Sequence, residues 1–192
     1  MHLTLHLTRA CNLNCDYCYA PPRSGPGMTL PIARDALRLG ARSTNGSCGI
    51  VFFGGEPLLY RERIQEIVAE AGAIAQQSEA RFHFKITTNG LLLDPSFLDF
   101  AASHDLLIAI SFDGIKVVHD RHRRLRDGTG TFDRLLERLR LLLAVRPYSS
   151  ILVVVNPDTV EYLTKSVGFL AAEGARYQII SINHGANWSE AE

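Results

Sequence analysis

The chain has 192 residues, 46% of them hydrophobic and 21% charged, which fits one ordinary globular α/β domain. The 20 Lys+Arg balance the 20 Asp+Glu, so no global charge argues for nucleic acid or a membrane surface as partner. No apolar run is long enough to span a bilayer, and Met1 to Thr8 lack the basic region, apolar stretch and cleavage site of a signal peptide.

Leu3 to Thr8 alternates apolar and polar residues and predicts a first strand, ending at a cysteine-rich loop. Pro21, Pro22, Gly25, Pro26 and Gly27 then make an irregular segment. Thr29 is placed to cap a helix with Pro31 in its first turn, running through Ala33, Ala36 and Leu37 towards Ala41, and Asn45-Gly46 breaks the chain after it. Ile50 to Phe53 is a continuous apolar run, expected as a strand buried on both faces, and it stops at Gly54-Gly55-Glu56-Pro57. A second helix carries Ile64, Ile67, Val68, Ala71 and Ile74 on one face.

Arg81 to Thr87 reads as a third strand, ending at Thr88-Asn89-Gly90. Asp94-Pro95 starts a helix whose Phe97, Leu98 and Ala101 point inward. Leu106 to Ile110 is the fourth strand, closed by Ser111-Phe112-Asp113-Gly114. A basic loop follows, and then Phe132, Leu135, Leu136, Leu139 and Leu143 line a fourth helix. Ile151 to Val155 is the fifth strand, followed by Asn156-Pro157. Val160, Leu163, Val167 and Leu170 mark a fifth helix ending near Gly174, and Tyr177 to Ile182 is the sixth strand. Strand, polar turn and helix thus repeat six times without a last helix. The expected architecture is α/β, a partial (β/α)6 TIM-like barrel whose parallel strands are followed by outer helices, with residues 1–192 as one domain. The sixth strand is expected to leave an open edge, to be covered by further chain, a partner or a dimer contact.

Cys11, Cys15 and Cys18 are spaced C-x3-C-x2-C within the first loop, and the fourth cysteine, Cys48, lies apart. Thiolates at such spacing suit zinc or an iron–sulfur cluster, and they favour a reducing compartment over disulfides. Cytoplasmic residence is therefore expected. Three protein ligands leave one metal position open for chemistry, so the loop reads as a three-cysteine cluster with one substrate-accessible iron. The competing reading is a structural zinc site completed by Cys48 or a histidine, but Cys48 starts a strand at the opposite end and suits a buried small hydrophobe better.

Each unusual polar motif follows a predicted strand. In a parallel barrel those ends converge on one rim, where active sites are built. Singly, Asn-Gly and Asp-Gly are common turns; several motifs at the same end argue for a site.

C-x3-C-x2-C with Tyr17 before its third cysteine, Gly54-Gly-Glu-Pro57, Ile86-Thr-Thr-Asn-Gly90 and Ile110-Ser-Phe-Asp-Gly114 together resemble the radical S-adenosylmethionine (radical SAM) enzymes, over essentially the whole chain. His119-Asp120-x-x-Arg123 resembles the subgroup that modifies peptides and proteins, including the sulfatase-maturing enzymes. The resemblance implies a [4Fe–4S] cluster on Cys11, Cys15 and Cys18 whose fourth iron chelates S-adenosylmethionine. Reductive cleavage then gives a 5′-deoxyadenosyl radical that abstracts hydrogen from substrate.

It further implies that Gly54 and Gly55 approach the methionine moiety, with Glu56 near its ammonium and Pro57 fixing the turn. Tyr17 would lie near the adenine. Thr88, Asn89, Ser111 and Asp113 would serve the cofactor, and Asn156 would reach ribose or adenine. His119, Asp120 and Arg123 would orient a peptide or protein substrate, although the surrounding stretch also reads as a solvated helix face. An electron donor such as flavodoxin or ferredoxin is implied. The cysteine-rich C-terminal extension common in peptide-modifying relatives has no counterpart after Cys48. A radical SAM enzyme acting on a small metabolite and a non-catalytic metal-binding or regulatory module are the alternatives.

Overall fold

A computed structural model describes residues 1–20, 25–42 and 46–189. Pro21, Pro22 and Asn45, which the sequence places in loops, lie outside the described residues. The elements follow as β1 (His2–Thr8), α1 (Leu30–Ala41), β2 (Ser47–Gly54), α2 (Arg61–Gln76), β3 (Arg81–Thr88), α3 (Pro95–Ser103), β4 (Leu107–Ser111), α4 (Lys116–His122), α5 (Phe132–Val145), β5 (Ser150–Val155), α6 (Leu163–Ala172) and β6 (Tyr177–Ile182). Short 3-10 turns at Pro57–Tyr60 and Pro157–Tyr162 lead into α2 and α6. The six strands form one sheet in the order β1-β2-β3-β4-β5-β6, an unclosed parallel α/β arrangement of the kind the sequence predicts. The chain divides into two compact units. One comprises Met1–Cys11, Pro22–Thr88 and Asp99–Ile108; the other comprises Asn12–Pro21, Asn89–Leu98 and Ala109–Glu192.

In the first unit, alternation along the strands separates two faces. Leu5, Leu7, Ile50, Phe52, Phe84 and Ile86 are buried, and Phe52 stacks on Phe84 with ring centroids 6.0 Å apart. The α1 helix packs on β1 and β2, and α2 packs on β3 and α1, presenting Ile64, Ile67, Val68 and Ala71. Burying each such Leu, Ile, Val or Phe side chain contributes about 1.5–3 kcal/mol. The expectation that β2 is buried on both faces is corrected here. Val51 and Phe53 are only half-buried, because they point to the side that carries no helix. Thr29 occupies the cap position of α1 in extended conformation, but its side chain makes no capping bond.

In the second unit, β4, β5 and β6 pair in parallel. Phe112, Phe132 and Phe169 form an aromatic cluster, with Phe112 and Phe132 at 5.5 Å and Phe132 and Phe169 at 5.7 Å. The α5 helix buries Phe132, Leu135, Leu139, Leu142 and Leu143. Two expectations change. The basic loop contains α4, which buries Val118, His119 and His122. And the expected fifth-helix face divides: Val160 falls in the 3-10 turn, Leu163 and Val167 of α6 are half-buried, and only Leu170 is fully buried. On β6, Tyr177, Ile179, Ile180 and Ile182 are 45–55% exposed.

Candidate functional site

The first unit holds the Gly-Gly-Glu-Pro motif against the end of β1. Gly55 N donates to Thr8 O at 2.8 Å, and Glu56 N donates to Ala10 O at 2.9 Å. A Cβ on Gly55 would collide with the Ala10 carbonyl, and one on Gly54, whose φ is +135°, with the Thr8 carbonyl. The glycines are therefore required by the backbone that leads into Cys11, which is a different reason from the close approach of a ligand. Glu56 is fully buried, and its Oε1 accepts from Leu58 N at 2.9 Å and from the Thr88 hydroxyl at 2.7 Å. Glu56 thus caps the 3-10 turn that Pro57 opens, and Thr88 steadies it. Both side chains are thus engaged with the fold at this point.

In the second unit, the residues between the cysteines are tied down one after another. Asn12 Oδ1 accepts from Asn89 Nδ2 at 2.7 Å, and Asn14 N donates to Arg124 O at 2.8 Å. Leu13 is buried at 1% exposure. Asp16 Oδ1 lies 2.9 Å from His122 Nδ1, and the other ring nitrogen of His122 lies 3.1 Å from Asp158. The Tyr17 hydroxyl donates to Asp113 Oδ2 at 2.7 Å while the Arg123 guanidinium sits 5.4 Å over its ring. The α4 helix, which the sequence shows only as a basic loop, and the residues after it are what hold the loop.

Asp113 is the hub. It is 1% exposed and accepts from Tyr17, twice from Arg123 (2.8 and 3.3 Å) and from Val154 N at 3.0 Å. These bonds occupy both oxygens, so Asp113 anchors Tyr17 and leaves no acceptor for a ribose. Burial alone would raise its carboxyl, yet the paired Arg123 guanidinium holds it below the usual carboxylate range. Burial of Tyr17, with the Asp113 carboxylate against its hydroxyl, pushes the phenol well up, so it stays a donor.

His119 is fully buried. Asp113 N donates to its Nδ1 at 3.3 Å, and its Nε2 faces the Thr131 hydroxyl at 3.1 Å, which donates on to Arg123 O at 2.8 Å. This chain assigns the proton to Nε2. Burial brings the imidazole down to about 4, with Asp113 opposing and Arg123 adding to the shift, so it is neutral at pH 7. Asp120 Oδ1 accepts from Phe132 N at 2.8 Å at the start of α5, and Asp120 pairs with Lys116 at 3.0 Å. His119, Asp120 and Arg123, expected to orient a substrate, lie together on and just after α4. All three have partners inside the protein, and what they build is the seat of the cysteine loop. Asn89 is likewise engaged, its Oδ1 accepting from Leu91 N at 3.1 Å.

A cleft of about 280 Å³ in the second unit is lined by Asp16, Tyr17, His122, Asn156, Asp158 and Asn183. Asn156 is 3% exposed; its Oδ1 accepts from Asn183 Nδ2 at 2.8 Å, while its own Nδ2 has no partner among the described residues. An unpartnered buried amide donor is rare, and a ligand acceptor or an ordered water would satisfy it. Ser111, at the end of β4, is half-buried. Asn183 and His122 join this site without having been singled out in the sequence. His122 was hidden because only its neighbours matched a family pattern, and Asn183 because it lies in a short loop after a weak strand. His184 is exposed.

Cys11 and Cys15 are half-buried and Cys18 is exposed, all as thiols. Among the described residues no three His, Cys, Asp or Glu side chains already stand as a metal-holding group. The donor set nevertheless fits an iron–sulfur cluster: three accessible thiols within eight residues, on an irregular loop. Cys48 is 1% exposed within β2, and burial pushes its thiol up.

Residues 5–170 match the family model of the Radical SAM superfamily. The chain is 30% identical over 175 residues to an uncharacterized protein of Methanocaldococcus jannaschii, covering 91% of this chain and 60% of that one. It is 26% identical over 179 residues to the cysteine-type anaerobic sulfatase-maturating enzyme of Clostridium novyi, covering 87% and 46%. The solved structure of native anSMEcpe with bound AdoMet and Kp18Cys peptide shares the fold at TM-score 0.87 and 23% identity, covering 94% of this chain and 51% of that one. The chain thus spans roughly half the length of such relatives.

Proposed function

The chain belongs to the radical SAM superfamily, and from that premise we propose that residues 1–192 act as a cytoplasmic radical SAM core domain modifying a peptide or protein side chain. Cys11, Cys15 and Cys18 would hold a [4Fe–4S] cluster, with S-adenosylmethionine on its open iron and a flavodoxin or ferredoxin as donor. When bound, this pair supplies one-electron cleavage of the sulfonium to methionine and a 5′-deoxyadenosyl radical that abstracts hydrogen from substrate.

The protein's own part is placement. Asn156 Nδ2 donates to an acceptor of the nucleoside, with Asn183 fixing which way the amide points. Tyr17, locked by Asp113, keeps its ring as one wall of the same cleft. Ser111 offers a hydroxyl at the end of β4, and the main chain of Gly54 and Gly55 offers polar groups after β2. The peptide substrate class rests on the likeness to the sulfatase-maturating enzyme and on the peptide bound to anSMEcpe.

The observation that carries this reading is the unpartnered Asn156 amide in one cleft with the tyrosine of the cysteine motif. Anaerobic reconstitution with iron and sulfide is expected to give a brown protein that bleaches on reduction and forms 5′-deoxyadenosine from S-adenosylmethionine. Cys15→Ala is expected to lose both the colour and the cleavage. Asn156→Ala is expected to keep the cluster absorption and weaken S-adenosylmethionine binding about tenfold, the effect of one lost buried hydrogen bond. A colourless protein that takes up zinc stoichiometrically would overturn the reading, and so would cleavage surviving Cys15→Ala.

A further inference from the structure

The open donor of the cleft, Asn156 Nδ2, owes its polarity to the loop after β6. Every polar atom of Asn183 in that loop is in use. Its N donates to Val155 O at 2.8 Å, and its carbonyl accepts from Ala186 N at 3.2 Å and from the Trp188 indole N–H at 2.8 Å. In its side chain, Oδ1 accepts from Gly185 N at 3.0 Å, and Nδ2 donates to Asn156 Oδ1 at 2.8 Å. Asn183 is therefore held by its main chain on both sides, and its amide has no freedom to turn.

These bonds relay polarity. A carboxamide has an accepting end and a donating end, and its partners decide which way round it sits. A backbone N–H only donates, so Gly185 N claims the oxygen of Asn183. The amino end of Asn183 is then left for Asn156 and claims the oxygen of Asn156 in turn. What remains in the wall of the cleft is a donor, 3% exposed as a residue and unpartnered among the described residues. Tyr17, Pro157 and Ala186 add apolar surface to the same cleft, whose 280 Å³ suits a single planar ring system.

We propose that Asn183 is a positioning residue which, by fixing the polarity of Asn156, makes this cleft select a ligand with an accepting ring nitrogen. The loop after β6 is then the specificity element of the site. The inference rests on the reading of the cleft as the place of the S-adenosylmethionine nucleoside. A hydroxyl turns to donate or to accept, so a ribose is indifferent to the polarity of the amide it meets; a ring nitrogen has one polarity only. Fixing the amide therefore matters for a base. Because the Asn156 donor lies out of water, a base without the matching acceptor leaves it unpaired and loses affinity.

Calorimetric titration of the reconstituted full chain with adenosine and with 1-deaza-, 3-deaza- and 7-deazaadenosine tests this, since each analogue replaces one ring nitrogen by C–H. One of the three is expected to bind about tenfold more weakly than adenosine, the effect of one lost hydrogen bond. In Asn183→Asp one carboxylate oxygen keeps Gly185 N and the other draws Asn156 Nδ2 to itself, which turns Asn156 Oδ1 to the cleft. The tenfold preference is then expected to vanish, adenosine losing affinity while that one analogue does not. Asn156→Asp, which places an acceptor there without the relay, is expected to lose the preference in the same way. A loop that only shaped the cleft would weaken all four ligands alike, so an unchanged preference in Asn183→Asp would overturn the proposal. Equal binding of all four ligands to the wild-type chain, as when the donor meets a hydroxyl or a water, would overturn it too, and so would a lack of adenosine binding. Formation of 5′-deoxyadenosine from S-adenosylmethionine, measured on the same preparation, keeps the two readings apart: formation without the preference removes the relay alone, and the preference without formation removes the radical reading alone.

Discussion

Arg123 is 6% exposed and lies over Tyr17 while giving two hydrogen bonds to Asp113. Taking two charges out of water is costly, and here the cost is offset only because each carboxylate oxygen is fully used. Removing one partner strands the other. Arg123→Met is therefore expected to lower stability by about 3–5 kcal/mol in urea denaturation. The double variant Arg123→Met/Asp113→Leu is expected to recover more than half of that, because it removes both charges and leaves only Tyr17 and Val154 without an acceptor. A single-variant loss below about 1 kcal/mol would mean that the pair is not the hub described.

At the scale of elements, the end of β1 and the turn after β2 act as one piece, since Gly55 has no room for a side chain beside Ala10. Gly55→Ala is expected to cost about 1–3 kcal/mol through overpacking and to lower the iron held per chain after reconstitution, because the peptide before Cys11 must move. Gly72 lies within α2 with nothing within 4 Å of an added Cβ, so Gly72→Ala is expected to stabilise by up to about 1 kcal/mol and leave iron content unchanged. Equal iron content in both variants would remove the link between this turn and the cysteine loop.

The elements also show what could be seen in the sequence. Strands and the longer helices were legible because apolar residues recur at the period of each, as in Leu5 and Leu7 or Ile64, Ile67 and Val68. The α4 helix was not, because two of its three buried residues are histidines and its seven residues span too short a stretch to show a period. The site was legible as a set of motifs, but not as a set of roles. Glu56, Asp113, His119 and Arg123 are polar types that chemistry needs, and only their partners reveal that Glu56 caps a turn and that the other three hold the loop.

For the whole molecule, the unequal distribution of surface matters more than its average. The second unit exposes Tyr177, Ile179, Ile180 and Ile182 on β6, a flat apolar edge strand whose next pairing position is open among the described residues. Such an edge favours association. In sedimentation velocity the chain is expected to show a concentration-dependent shift above a monomer in the range of about 10–100 μM, a span typical of weak interfaces. Ile180→Lys is expected to abolish that shift without loss of helical signal. A wild-type chain that stays monomeric throughout would rule out the edge as an association surface.

Asn12, Asn14, Asp16 and Tyr17 sit between the cysteines, yet every one of them is engaged with residues 89–124. The spacer is thus held by Asn89 and by Asp113 and the α4 region. A change at Tyr17 is expected to require matching changes at Asp113 and Arg123, and one at Asp16 a change at His122. The cysteine octapeptide and the Asp113–Arg124 segment are accordingly expected to drift together between lineages while the three thiols stay fixed.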